Sequence, residues 1–176
     1  MVQKILLSSN PELRQKSKAV KKLDAKVKNI IKDLKDTLVV QKDPEGVGLA
    51  APQIGKFVRI FVMRHEDNSL ETVINPEIVT ISKLSKKDTK VLEGCLSIPH
   101  YYGPLSRAKE ITIRYMNEEG EKVTKSYSKF NAQIVQHEID HLEGKLFVDH
   151  LLEQKKPLYK YYSKTDEWEE VDFANI

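Results

Sequence analysis

The stretch "NAQIVQHEIDHLEG" (residues 131–144) decides how the chain is read. Asn131 is a helix-capping residue type, Gly144 is a helix-stopping one, and a helix over residues 132–143 is expected between them. At about 100° per residue, Ala132, Ile134, Val135, Ile139 and Leu142 fall on one apolar arc, with Gln133, Gln136, Asp140 and Glu143 opposite. His137 and His141 lie about 40° apart on the border, one turn from each other, so their rings can converge on a single ion. Glu138 is the anomaly. It points into the apolar arc, between Ile134 and Leu142, where a carboxylate is costly unless it is paired, neutralised or beside a metal.

Upstream of this helix the pattern changes period. "FVRIFVM" (57–63), "ETVINPEIVTIS" (71–82) and "ITIRYMNEEGEKVTKSYS" (111–128) read as strands, the last as a hairpin turning at residues 117–120. Ile111, Ile113 and Tyr115 point one way, and Thr112 and Arg114 the other. "SKLSKKDTK" (82–90) reads as a solvated loop. Near the N-terminus, Asn10-Pro11 opens a helical turn through about Gln15. Asp24 caps a longer helix that buries Val27, Ile30, Ile31, Leu34 and Leu38 and stops at "DPEG" (43–46). "GVGLAAPQIG" (46–55) follows as a loop. Helix, several strands, then helix, without strand–helix alternation, argues for α+β with antiparallel sheets.

The bulk properties exclude more than they assign. A chain of 176 residues with 40% hydrophobic and 31% charged residues suits one globular domain. A net charge of +3 is too small to imply specific nucleic-acid binding. The apolar patch at residues 5–7 is too short for a signal-peptide core, and no stretch approaches a membrane span, which leaves the cytoplasm as the default. Cys95 is the single cysteine, so no internal disulfide can form.

His-Glu-x-x-His on a helix has a known logic: two imidazoles hold an ion and the glutamate handles a water's proton. A catalytic site needs a third protein ligand and an open position. Cys95, in the turn-like "EGCLSIP" (93–99), and the acids Glu167, Glu169 and Glu170 are the candidates. With Glu167 the chain would read as a zinc endopeptidase. With a fourth ligand from His65, His100 or His150 the ion would merely staple helix to loop.

Three motifs taken together, "GVGLAAPQ", "EGCLS" and "QHEIDH", resemble peptide deformylase, from the N-terminal turn to about His150. The resemblance implies antiparallel sheets packed around a central metal-binding helix carrying HEIDH, with an N-terminal helix. It implies one catalytic domain over residues 1–176, with a core to about 150 and a divergent tail over 151–176. It implies one divalent ion on Cys95, His137 and His141, ferrous iron physiologically, with zinc or nickel able to replace it. The implied substrate is the N-formyl-methionyl end of a nascent polypeptide, and the product is formate. Glu138 becomes the proton-transfer group. The Gln53 amide and the Leu96 N–H become donors to the oxyanion.

For substrate binding the resemblance points to Gly46 and Gly48, which relieve a tight turn and let a peptide run alongside. It points also to a methionine pocket walled by Val47, Leu49, Ile134 and Val135. Glu93 and Arg107 are expected to pair and brace the cysteine loop, and Asp140 to orient a ligand histidine. Two departures stand out: Tyr102 occupies the place of a substrate-contacting arginine, and the tail is not a long basic helix. The tail "KKPLYKYYSKTDEWEEVDFANI" (155–176) reads as short irregular or strand-like structure, with Trp168 able to pack back on the domain. It gives no support to ribosome docking.

Overall fold

The computed structural model describes residues 1–84 and 92–175. It contains two antiparallel sheets with a helix between them. In the first sheet, β1 (Gly48–Ala50), β2 (Ile60–Arg64), β3 (Leu70–Ile81), β6 (Glu110–Met116) and β7 (Lys122–Ser128) lie in the order β1-β2-β3-β6-β7. In the second, β4 (Glu93–Cys95), β5 (Ile98–Gly103), β8 (Leu158–Tyr162) and β9 (Glu167–Val171) lie in sequence order. The α+β, antiparallel expectation holds.

Strand alternation assigns the two faces of the first sheet. On β2, Phe61 and Met63 join Val73, Ile111, Ile113 and Tyr115 in a core against α2 (Lys129–Leu142). Ile60 and Val62 face the other way, onto α1 (Ala25–Val39), where Val27, Ile30, Ile31, Leu34 and Leu38 are all buried. Asp24 caps α1 through Val27 N–H at 3.0 Å. The hairpin turns where its sequence says, with Met116 opposite Lys122. A third core lies under the second sheet, where Phe147, Val148 and Leu151 of α3 (Phe147–Glu153) pack on Cys95, Ile98 and Leu158.

Several expectations need correction. The helix carrying His137 and His141 begins at Lys129 rather than after Asn131, because β7 runs straight into it. Lys129 takes φ +53° and its N–H bonds to Lys109 O at 2.9 Å, so the bend needs no cap from Asn131. The stop at Gly144 is as expected, with φ +74°, and a side chain there would also strike the Arg14 carbonyl. α3 lies beyond the last expected helix; at 7 residues it carries too few turns for a periodic signal. "GVGLAAPQIG" is not only loop: it holds β1 and a 3-10 turn, Ala51–Ile54. "EGCLSIP" is a tight β4–β5 hairpin, with Cys95 opposite Ile98. Much of the expected solvated loop, residues 85–90, lies outside the described residues.

The N-terminal segment straps these pieces together. Leu6 N–H donates to Gln53 O at 2.8 Å, Ser8 N–H to Ser97 O at 2.9 Å, and Ser17 N–H to Leu142 O at 2.9 Å. The three motif segments are thereby fixed by one stretch of chain.

Candidate metal centre

Cys95 ends β4 and the two histidines stand one turn apart on α2, so sheet and helix bring a thiol and two imidazoles together. Their ligand atoms all lie within 4.8 Å of one another, and all three residues are buried. Cys95 Sγ is 3.2 Å from His141 Nε2. Burial alone would raise the thiol's pKa, but the adjacent His141 and His137 bring it down to about 5, so it is a thiolate at neutral pH. Burial opposes protonation of His137, yet the neighbouring Cys95 and Glu93 raise its pKa well above the usual value. Two imidazoles converging on a buried thiol make a place that an ion can take.

The surroundings hold these ligands in position. Glu93 Oε1 lies 2.7 Å from His137 Nδ1, which leaves Nε2 for an ion. The same carboxylate takes Arg107 at 2.7 and 3.0 Å and is held down at about 2: burial works against ionisation and Arg107 overrides it. The expected Glu93–Arg107 pair is therefore present. Asp140, expected to orient a ligand histidine, instead takes Arg107 at 2.6 Å and His150 at 2.9 Å; Glu93 is the carboxylate that meets the ring.

Four buried side-chain atoms lack a hydrogen-bond partner among the described residues: Ser17 Oγ, away from the site, and His100 Nδ1, His141 Nδ1 and Glu138 Oε2 at it. Glu138 is 3% exposed, on the apolar side of α2 as its position predicts. Burial pushes its carboxyl up to about 7, against the pull of His137 and His141. Gly48 explains how it fits. A Cβ there would collide with Glu138 Oε1, and one on Gly46 would lie 2.7 Å from Leu38 Cδ1. Neither glycine has a positive φ, so the motif's glycines provide room for side chains rather than the tight turn expected.

Gln53 is buried beside the thiol. Its Oε1 accepts from Ala50 N–H at 2.8 Å, which aims Nε2 at Ser97 Oγ (3.1 Å) and Cys95 Sγ (3.7 Å). A cavity of about 330 Å³ opens over this group. Gly46, Val47, Gly48, Gln53, Glu93, Cys95, Leu96, Tyr102, Ile134, His137 and Glu138 all border it. Leu49 and Val135, expected in its wall, are fully buried in the α1 and α2 cores and do not border it. His100, considered from sequence only as a fourth ligand, and Phe130, which carried no sequence signal, do border it; His100 reaches it from a left-handed backbone, φ +68°.

The other metal-ligand candidates stay apart. Glu167, Glu169 and Glu170 are exposed on β9, His65 lies 2.7 Å from Glu71, and His150 is engaged by Asp140. Among the described residues no fourth protein ligand joins the cluster, which fits an open, catalytic coordination sphere rather than a closed structural one. A thiolate with two imidazoles suits several transition metals.

Comparison with known proteins agrees with this geometry. Residues 2–157 match the family model for polypeptide deformylase. A peptide deformylase of Pseudothermotoga lettingae is 48% identical over 149 residues, 85% of this chain and 82% of the relative. The crystal structure of a peptide deformylase from Legionella pneumophila superposes with a TM-score of 0.77 at 36% identity, covering 86% of each chain. That of the Thermotoga maritima peptide deformylase gives 0.76 at 37% identity, covering 85% of this chain and 97% of the other. The chain belongs to the polypeptide deformylase family, enzymes that remove the formyl group from N-formyl-methionyl peptides.

Proposed function

We propose that, in the deformylation this enzyme performs, Glu138 moves the protons, Gln53 and Leu96 hold the oxyanion, and Cys95, His137 and His141 keep one ferrous ion. The observation that carries this reading is the buried Glu138 carboxylate, whose Oε2 has no hydrogen-bond partner, beside a three-atom ligand set. A carboxyl at about 7 suits proton transfer in either direction near neutral pH. When bound, the ion supplies Lewis acidity, which lowers water's pKa from 15.7 towards about 7.

The remaining work falls to the chain's own residues. Glu138 Oε2 accepts the proton of the attacking water and later delivers it to the departing amine nitrogen, so formate and a free amino terminus result. Gln53 Nε2, with its Oε1 already committed to Ala50, donates to the oxygen that gains charge, and the Leu96 backbone N–H does the same. β1 is an edge strand, and an extended peptide paired along it would run past Gly46 and Gly48. Val47 and Ile134, with the neighbouring Phe130, supply the apolar wall for the methionine side chain.

Residues 1–176 are taken as one catalytic unit, since β8 pairs with β5 of the cysteine-bearing sheet. Nascent formylated chains are the partners and the cytoplasm the compartment; among the described residues no helix is long and apolar enough to cross a membrane. Ribosome docking through the tail forms no part of the reading, because the tail is an acidic hairpin.

The test is formate release from formyl-Met-Ala-Ser, with and without a chelator. Release that stops on chelation and returns with ferrous iron is expected; release that ignores the chelator would overturn the metal's role. An iron form should lose activity in air faster than a nickel form. Equal loss would argue against iron as the working ion.

A further inference from the structure

The family match ends at residue 157, and the hairpin of β8 and β9 begins at Leu158. This added piece is attached directly to the site. β8 pairs with β5, setting Tyr159 opposite Tyr102, and β9 sets Trp168 opposite Tyr161. Cross-strand pairing and strand alternation put Tyr102, Tyr159, Tyr161 and Trp168 on one face. Trp168 lies 4.8 Å from the Tyr161 ring and 5.4 Å from the Tyr102 ring, edge-on at 63°. Tyr102 is held from beneath as well: a Cβ on Gly94 would come within 2.6 Å of its ring carbons, so the ring rests on bare backbone next to Cys95. Tyr102 borders the cavity, and Trp168 remains 50% exposed.

Asp43 places a negative charge near this face. Burial and, after it, the Asp43 carboxylate raise the Tyr102 phenol, and Asp43 acts on Tyr161 too. The Asp43 side chain is 69% exposed, and its ion-pair partner among the described residues is His100, at 3.9 Å. On the opposite face of the hairpin, Lys160 already sits over the rings of Tyr101 (5.5 Å) and Tyr162 (4.8 Å). An exposed indole and partly exposed phenol rings near an exposed carboxylate favour a cation over an apolar group, because ring quadrupole and charge add.

We propose that Tyr102 and Trp168 form an aromatic shelf that receives a lysine or arginine side chain of the substrate, downstream of its methionine, with Asp43 as counter-charge. The shelf rests on the proposed course of the peptide along β1 and past the cavity. It makes the hairpin beyond residue 157 a specificity element.

The experiment compares kcat/KM for formyl-Met-Lys-Ala and formyl-Met-Ala-Lys with their norleucine counterparts, which keep the stem and lose the charge. At low salt, lysine should be favoured about two- to fivefold in at least one position, the range of an exposed cation–π contact. Added salt should shrink the ratio. Trp168→Ala should bring it close to one, and Trp168→Phe should retain part of it. Asp43→Asn, at a side chain 69% exposed, should also lower it. Equal rates for lysine and norleucine at both positions, a preference for norleucine, or a ratio indifferent to both Trp168→Ala and Asp43→Asn would overturn the shelf. If no formylated peptide released formate, the deformylase mechanism would itself fall and the shelf with it.

Discussion

Glu71 and Glu138 are both carboxylates drawn in from solvent, and their surroundings treat them oppositely. Glu71, on β3, is saturated: it takes the hydroxyls of Tyr115 and Tyr127, the Lys125 ammonium at 2.8 Å and His65 at 2.7 Å. Burial raises its pKa, and Lys125, Tyr115 and Tyr127 more than reverse this, so it stays ionised. Glu138, on α2, has an oxygen with no partner and is pushed up to about 7. A satisfied carboxylate holds strands in register. An unsatisfied one costs stability, and its retention beside three ligand atoms points to chemistry.

The contrast is broken most sharply by removing Glu138. Glu138→Ala should cut formate release by about 10²–10⁴-fold, with the ion retained and thermal stability equal or higher, since a buried orphan is lost. Metal analysis beside a melting curve checks this; a large fall in Tm would make Glu138 a structural residue like Glu71. Gln53→Leu comes next, with turnover expected to fall by about 10²–10³-fold at constant metal content. If the two fell in parallel, Gln53 would be supporting the ligands and not the oxyanion.

Glu93→Ala lies between the two types, because Glu93 is saturated yet touches a ligand ring. It should weaken metal affinity by about 10–100-fold in a chelator competition. Affinity equal to that of the unaltered chain would remove Glu93 from the centre's support.

Glu71→Gln should have the smallest effect, about 1–3 kcal/mol of stability in denaturant melts, with kcat unaltered. Its pKa is lowered on folding, so it contributes stability above the unfolded value near 4.3 and loses it as pH falls through the lower folded value. The variant should therefore show a flatter loss of stability on acidification. A variant with the same acid slope would place the titrating group elsewhere.

What could be read from the chain follows the same division. Glu138 announced itself because periodicity placed a charge where only apolar groups belong, and α1 because Val27 to Leu38 repeat at helical spacing. Gly48 was misread because the obstacle it avoids, Glu138, is 90 residues away in sequence, and local patterns carry no such distance. Leu49 and Val135 went to the cores for a related reason: alternation tells which residues are buried, not which cavity they border. The switch from Asp140 to Glu93 as orienter depended on Arg107 and His150 reaching Asp140 first. The places of His100 and Phe130 at the cavity became visible only once sheet and helix had been assembled.

The most direct test is elemental analysis of Cys95→Ala beside the unaltered chain, both reconstituted anaerobically with ferrous iron. One equivalent on the unaltered chain and a small fraction of it on the variant, at matched circular dichroism, is the expected result. A variant that kept its full equivalent would show that the sulfur is not a ligand and would contradict the account.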